Sequence, residues 1–289
     1  MLFGDQYLAI CRRMENYWSV AESAWWGAQH ITQKRRTQEL ASLYSSEAER
    51  ELTYCEKIRI PYLLYQLEQK DLAYTRYAEF LVDYPDSSTA MKLNGLYLLT
   101  RDNSEAENYL WRYIEMEPHE IPVICNLILI YYNRTGNTAG AKKTSQYFKT
   151  HSAEAKKLAK EKMLDPVNGT IKPHQLDPLA LQDIILHICK YAPEVRSIYL
   201  YNREIGEKLK ASYFTVLLIV KNDQIRTQKD IVAQIIARMS FANSTSIWVK
   251  HHQEDIQLEK LDPAHLVWRQ RNEITATADN LSTDNWYEI

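Results

Sequence analysis

The spacing of apolar residues divides the chain into a helical first part and a mixed second part. Up to about residue 160 the apolar positions recur every three to four residues, which is the period of an α-helix. The first predicted helix carries one such stripe, formed by Ile10, Met14, Tyr17, Ala21 and Ala24. We therefore expect residues 1–163 to be helical throughout, with the helices packed through their apolar faces.

A longer pattern recurs within this helical part. Alanines separated by 33 and 35 residues mark corresponding positions of successive units, at Ala73, Ala106 and Ala141. Each unit has an apolar helix, a polar turn and an alanine-bearing helix, and Pro85 and Pro118 follow two of the units. Small residues let two helices approach closely, and a proline ends a helix because it cannot continue the hydrogen-bond ladder. The pattern predicts consecutive helix pairs, with residues 1–53 adding one or two more that close one end of the stack.

These units resemble the tetratricopeptide repeat, a helix pair of about 34 residues. The resemblance covers residues 54–152, and the positions that match the repeat are Leu93, Gly95, Tyr97, Tyr132, Gly136 and Ala141. Glu68 and Arg101 stand where the repeat has its turn glycine. The early tryptophan of the repeat is also absent.

The resemblance implies a solenoid whose first helices line a concave face that binds a protein or peptide and carries no chemistry. On that face we expect partner-binding residues at Tyr65, Asn94, Tyr97, Asn126 and Tyr131. Some proteins of this kind clamp a C-terminal carboxylate with paired lysine or arginine residues. That basic set is missing at the matching positions here, so this binding mode is disfavoured.

The pattern changes after a polar run with several prolines, residues 164–178, which predicts a linker. Asp177 and Pro178 then begin a helix, since they supply an N-cap and a proline in the first turn. Three predicted strands follow, with a helix at Gln228–Phe241 before the third: Ser197–Tyr201, Tyr213–Val220 and Ser244–His252. We predict a small C-terminal α/β (α+β) domain with a mixed sheet at residues 179–274. A last helix is expected from Asp262, followed by a polar tail at 275–289.

The first two of these strands resemble the core of the minimal nucleotidyltransferases. Ile198–Tyr201 matches the first strand of that family, and Arg203 with Gly206-Glu207 matches its polar loop. Ser212 with Leu217–Val220 matches its second strand. The resemblance covers residues 177–252. It implies a turn that holds phosphates and aspartates that bind magnesium.

The residues that would do this chemistry are missing. Asn202 stands in place of the family's Gly-Ser turn, and Tyr213 and Thr215 stand in place of its two aspartates. Paired carboxylates are needed because they hold the metal that neutralises the triphosphate. We expect an inactive domain. If any nucleotide binding remains, we expect it in a loop formed by Asn202, Arg203, Lys208 and Lys210.

Composition narrows the choice of partners. The chain has 289 residues and a formal net charge of −2, which disfavours nucleic acid. The cysteines Cys11, Cys55, Cys125 and Cys189 are far apart, and no CxxC pair is present. We therefore expect no zinc site and no cofactor, and unpaired thiols suit the cytoplasm. No stretch approaches the apolar length of a membrane span, so no membrane insertion is expected.

The sequence favours a non-enzymatic interaction protein that binds a protein or peptide through its repeat face. Two alternatives stay open: a nucleotide-binding sensor or nucleotidyltransferase-like enzyme that uses the C-terminal domain, and a regulator that binds nucleic acid. The near-neutral charge weighs against the last of these.

Overall fold

The structure is a computed structural model that describes residues 33–220, 227–251, 261 and 263–270. The stripe of the first predicted helix and the tail at 275–289 lie outside the described residues. From residue 33 onwards, seven helices form the helical part: α1 (Gln33–Glu49), α2 (Tyr54–Gln66), α3 (Lys70–Asp83), α4 (Ser88–Thr100), α5 (Glu105–Met116), α6 (Ile121–Thr135) and α7 (Thr138–Lys162). A single 3₁₀ turn, Pro118–Glu120, leads into α6.

The α/β part follows in the predicted order of helix, strand, strand, helix and strand. Its elements are β1 (Thr170–Pro173), α8 (Pro178–Tyr191), β2 (Val195–Ile205), β3 (Ala211–Val220), α9 (Gln228–Arg238), β4 (Thr245–His251) and β5 (Leu266–Arg269). None of the helices in the described ranges is both long and apolar enough to cross a lipid bilayer.

The predicted helix pairs are present as α2 with α3, α4 with α5, and α6 with α7. The close approach expected inside a pair is clearest at Gly95, where a Cβ would lie 2.7 Å from the side chain of Leu110 on the partner helix. The turn after α2 shows how the missing glycine is replaced. Glu68 adopts a φ of 60°, the left-handed conformation that glycine takes most readily. In the next turn Asp102, rather than Arg101, takes this conformation with a φ of 56°.

The sheet is mixed, as predicted. Its order is β1–β2–β3–β4; β3 pairs in parallel with β4, and β2 pairs antiparallel with β1 and β3. β5 also pairs antiparallel with β2, along its first residues. The nearly continuous apolar run predicted a strand covered on both faces, and from Thr215 to Val220 every residue of β3 is buried.

Two segments differ from the sequence-based expectation. Residues 170–173, inside the predicted linker, form β1 against Tyr201–Glu204. The helix expected from Asp262 is wrong, because Pro263–His265 form a 3₁₀ turn and Leu266–Arg269 form β5. Both strands pair with the edge of β2 that lies opposite β3, since a long central strand needs hydrogen-bond partners along both edges. The need for these partners arises from the tertiary structure and is not visible in local sequence preference.

One hydrophobic core joins the two parts of the chain. Alternate residues of β2 and β3 pack against α8 and α9, among them Ile198, Leu200, Val216 and Leu218. Cys55 of α2, only 2% exposed, belongs to the same cluster. The helical part and the α/β part therefore bury apolar surface against each other rather than packing as separate bodies.

We expect Gly95→Val to lower the free energy of unfolding by about 1–3 kcal/mol, because Leu110 is fully buried and cannot move away from the added carbons. Urea unfolding measures this change. Asn108→Val on the exposed face of α5 is the matched control, and it should stay within about 0.5 kcal/mol of the parent. Equal effects of the two substitutions would argue against close packing at Gly95.

Candidate functional site

The segment that follows α9 caps the N-terminal end of α4. The Ser88 N–H donates to Asn243 Oδ1 at 3.0 Å. The Thr89 N–H donates to the Ala242 carbonyl at 3.1 Å, and the Ser87 hydroxyl donates to the same carbonyl at 2.6 Å. The first N–H groups of a helix have no partner within the helix, so the α/β part supplies acceptors that α4 lacks.

A second polar contact holds α9 against α2. Arg59 of α2 is 3% exposed, and its guanidinium donates to the Ala237 carbonyl in the last turn of α9 at 2.5 Å. A cation at this end also suits the negative end of the helix dipole. Glu39 of α1 accepts from Arg59 Nε at 2.7 Å and offsets its buried charge.

A cleft of about 380 Å³ borders both contacts. One wall comes mainly from the first helices of the pairs, α2, α4 and α6. The other comes from the end of α9, the segment that follows it, and β4. Most lining residues are apolar or aromatic; those on the helical wall include Ile58, Tyr62, Tyr65, Leu93, Leu96 and Leu127, and those on the opposite wall include Ile236, Phe241 and Ile247.

A second cavity of about 500 Å³ lies along α6. Val123 and Leu127 line both cavities, so the two adjoin there. The outer cavity is lined further by Pro122, Asn126, Leu129, Ile130 and Asn133. We call the surface formed by the two adjoining cavities the first-helix groove. Its volume falls within the range typical of ligand-binding clefts.

A buried ionic cluster lies beside the cleft, where Lys92, Ser88, Tyr113 and Ser244 reach the lining. Its members are Lys92, Glu117, His119, Glu120, Lys162 and Tyr213. His119 is central: its Nδ1 lies 2.8 Å from the Tyr213 hydroxyl, and its Nε2 lies 3.3 Å from Lys162 Nζ. Because the ammonium donates, we assign Nε2 as the acceptor and the ring proton to Nδ1.

The cluster also connects the two parts of the chain. Lys162 Nζ donates to Ser244 Oγ at 2.7 Å, and the Ser244 N–H donates to Ser88 Oγ at 3.0 Å. The Ser88 hydroxyl in turn donates to Glu117 Oε1 at 3.1 Å. On the cleft side, Lys92 Nζ lies 3.3 Å from Glu120 Oε2. The Ser88 hydroxyl therefore both donates and accepts within this chain, which suits a structural link.

Burial sets the protonation of the cluster. Loss of water raises the pKa of Glu117 to about 7, against the opposing effect of Lys162 and Ser88. Burial, followed by the charges of Lys162 and Lys92, lowers the pKa of His119 to about 2. Burial also lowers the pKa of Lys162, while Glu117 and Glu120 act in the opposite direction. His119 is thus neutral throughout the ordinary pH range, and Glu117 is half protonated near neutrality.

The five residues predicted on the partner-binding face do not all reach the groove. Tyr65 lines the cleft and Asn126 lines the outer cavity. Asn94 and Tyr131 are only 4% and 5% exposed, so they have almost no surface to offer a partner. Tyr97 stacks on Tyr74 at 3.9 Å between ring centroids, and its hydroxyl donates to Asp71 on α3. These three residues pack the helix pairs together.

The residues predicted to form a nucleotide loop are not brought together. Asn202 and Arg203 lie within β2, and Lys208 and Lys210 lie on the exposed turn after it. Arg203 is fully buried, and its guanidinium donates to the backbone carbonyls of Lys162, at 2.6 Å, and Asp165. Lys210 Nζ lies 3.7 Å from a Glu204 carboxylate oxygen.

The two positions that were compared with the aspartates of the minimal nucleotidyltransferases are closed off from solvent. Tyr213 and Thr215 are both fully buried, and the Tyr213 hydroxyl contacts His119 of the helical part. A phosphate group at Tyr213 would have to displace His119 of the 3₁₀ turn and Lys162 at the end of α7. Comparisons with protein-family models, with the curated proteins and with the solved structures found no match. The function must therefore be inferred from the contacts within this chain.

Sequence reasoning missed three residues that line the cleft: Phe241, Asn243 and Ser244. The sequence predicts Phe241 at the end of a helix and Ser244 at the start of a strand, and Asn243 lies in the small and polar connection between them. Sequence reasoning also missed Lys92, which lies in α4, where the helical periodicity already explained it, and Glu117, which lies between α5 and the 3₁₀ turn. Only the docking of the two parts gives these positions a role.

Folding moves a proton within the pair formed by Glu117 and His119. In the unfolded chain the usual pKa values, 4.5 for Glu117 and 6.5 for His119, leave the proton on His119 between these pH values. In the folded protein the pKa of Glu117 is about 7 and that of His119 is about 2, so the proton lies on Glu117. The pair binds one proton in both states, and its contribution to stability is flat in that range.

We expect single variants to reveal two opposite slopes. In His119→Gln, Glu117 is the member of the pair that still titrates. Because folding raises the pKa of Glu117, its contribution to stability is complete below pH 4.5 and is lost as the pH rises towards 7. In Glu117→Gln only His119 titrates; because its folded pKa is lowered, stability falls as the pH drops below 6.5. Each slope reaches at most about 1.4 kcal/mol per pH unit.

Urea unfolding at about pH 5 and pH 6 measures these slopes in the parent and both variants. The parent provides the reference, since its two contributions cancel. Slopes of the same sign in the two variants would show that folding does not move the proton from His119 to Glu117.

We also expect MgATP and MgGTP to leave the melting temperature unchanged, because Arg203, Tyr213 and Thr215 are buried against other parts of the chain. A ligand that binds only the folded state raises the melting temperature in a saturable manner. Such a rise would contradict the expectation. Its loss in Lys208→Ala together with Lys210→Ala would then assign binding to the β2–β3 turn.

Proposed function

We propose that this protein is a non-catalytic interaction protein that binds an apolar peptide segment of a protein partner in the first-helix groove. The observation that supports the proposal is that Val123 and Leu127 line both cavities, so the two cavities adjoin on α6. Two adjoining apolar cavities suit a peptide chain, whose side chains follow one another along a line. A compact small molecule would fill only one of the two cavities.

The lining chemistry supports a peptide with apolar side chains. Aromatic and aliphatic residues form most of both cavities, and burial of such surface is the main favourable contribution to association. Asn126 and Asn133 are exposed at the outer cavity. A side-chain amide offers a donor and an acceptor together, which matches the hydrogen-bonding groups of a peptide bond.

The α/β part takes the role of a fixed wall in this proposal. Its contacts at Ser88, Thr89 and Arg59 hold Phe241 and Ile247 opposite the first helices. A preformed wall lowers the ordering cost of binding, because few groups have to be immobilised when the peptide arrives. The two parts of the chain would then act as one binding unit.

The free thiols of Cys55, Cys125 and Cys189 favour a reducing compartment such as the cytoplasm.

The competing reading is a nucleotide sensor or nucleotidyltransferase-like enzyme. Its candidate residues point in different directions: Arg203 is buried in backbone contacts, while Lys208 and Lys210 are exposed on a turn. Phosphate binding needs several donors that converge on one position. The arrangement therefore favours the peptide-binding proposal over the nucleotide one.

An array of synthetic peptides with different spacings of apolar residues tests the proposal. We expect a subset with regularly spaced apolar residues to bind, and fluorescence polarisation then gives the solution affinity of one of them. Asn126→Arg should weaken that affinity about tenfold or more, because a long charged side chain enters the apolar groove. Its free energy of unfolding should stay within about 0.5 kcal/mol of the parent, since Asn126 is exposed.

Val82→Arg is the matched control. Val82 is 81% exposed on α3, away from both cavities, and the same side chain is introduced there. Its affinity should equal that of the parent. An array with no binding above background, or equal affinities of Asn126→Arg and Val82→Arg, would refute the groove as the binding site.

A further inference from the structure

Three side chains that are common metal ligands meet where the start of α2 packs against α8. Cys55 offers a thiol, Asp183 a carboxylate and His187 a ring nitrogen, and their ligand atoms all lie within 4.8 Å of one another. Asp183 and His187 are one turn apart on α8, so both project from the same face of that helix. The trio lies apart from the first-helix groove, since none of its members lines either cavity.

The carboxylate is already oriented for a shared ligand. Asp183 Oδ2 accepts a hydrogen bond from the Cys55 backbone N–H at 2.7 Å, which leaves Oδ1 directed towards His187. His187 Nδ1 lies 3.1 Å from Asp183 Oδ1 and 2.9 Å from the Asp183 backbone carbonyl oxygen, so in the metal-free protein Nδ1 carries a proton that it donates to these oxygens. Ligands at about 2.0–2.1 Å from a tetrahedral zinc ion lie about 3.3 Å apart. The observed separation of Oδ1 and Nδ1 is therefore close to one edge of such a tetrahedron.

The charges also balance for a divalent ion. A thiolate and a carboxylate carry two negative charges, and a neutral imidazole adds none, so a doubly positive ion makes the site neutral overall. Cys55 and Asp183 are 2% and 8% exposed. Such burial requires this neutrality. His187 retains 22% of its side-chain surface, which gives the ion an approach from solvent.

We propose that Cys55, Asp183 and His187 bind a zinc ion that ties α2 to α8. Sulfur and nitrogen ligands select zinc or cobalt over magnesium and calcium, which prefer oxygen. On binding, the Cys55 thiol loses its proton to solvent, and His187 Nδ1 loses the proton that it donates to Asp183, so that both atoms can bind the ion. The ion links residues 128 positions apart in the sequence and so joins the helical part to the α/β part.

Titration of the metal-free full chain with Co²⁺, followed by absorption, tests the site directly. We expect one equivalent to produce thiolate-to-cobalt charge transfer in the near ultraviolet and the intense visible bands of a tetrahedral ion, and zinc to displace it. Cys55→Ala should lose the charge-transfer band. The matched control is Cys125→Ala, which removes another buried thiol and should keep the full spectrum.

A second variant keeps the test decisive if Cys55→Ala does not fold. His187→Gln changes a partly exposed side chain, and it should weaken zinc affinity about tenfold or more by isothermal titration. Zinc should raise the melting temperature of the parent and of Cys125→Ala, and raise that of His187→Gln less. A parent without the charge-transfer band, or a band that survives in Cys55→Ala, would overturn the proposal.

Discussion

The buried start of α4 is the constraint on which the arrangement of the two parts depends. Ser88 and Ala90 are almost fully buried there, so their N–H groups have no water to bond. The Ala90 N–H donates to Ser87 Oγ. The Ser88 N–H donates to Asn243 Oδ1, and the Thr89 N–H donates to the Ala242 carbonyl. A buried N–H without an acceptor costs about 1–3 kcal/mol. The helical part is therefore completed by the α/β part, and the cleft forms beside the contact that completes it.

The ionic cluster follows from the same docking. Closing the α/β part over α4 and α7 removes water from Glu117, His119 and Lys162 together. Burying these charges without water is costly, and the position of one proton lowers that cost. A neutral His119 avoids a second buried cation beside Lys162, and a protonated Glu117 avoids a second buried anion beside Glu120. Lys92 and Glu120 keep a separate ion pair nearer the cleft. The cluster is thus a consequence of the interface, and it places charge beside one end of an otherwise apolar groove.

The sequence predicted what depends on local periodicity. The helix pairs, the N-cap at Asp177 and the buried strand β3 follow from spacing and capping residues alone. The groove could be predicted only in part. Tyr65 and Asn126 line it, but Asn94 and Tyr131 are buried, because a helical period cannot separate a face that binds a partner from one that packs against a neighbouring helix. The meeting of Cys55 with α8 depends entirely on tertiary docking.

The same docking gives a physical reason for the residue at position 213. Tyr213 reaches His119 with its hydroxyl, and its ring faces Lys162 Nζ at 4.2 Å. An aspartate there would be too short to reach His119 and would bury a further carboxylate near Glu117 and Glu120, which already raise the pKa of Tyr213 after the larger effect of burial. The docked helical part therefore disfavours an acidic side chain at this position. Tyr213 meets the demand of docking, and the side chain at this position is covered by the helical part as a result.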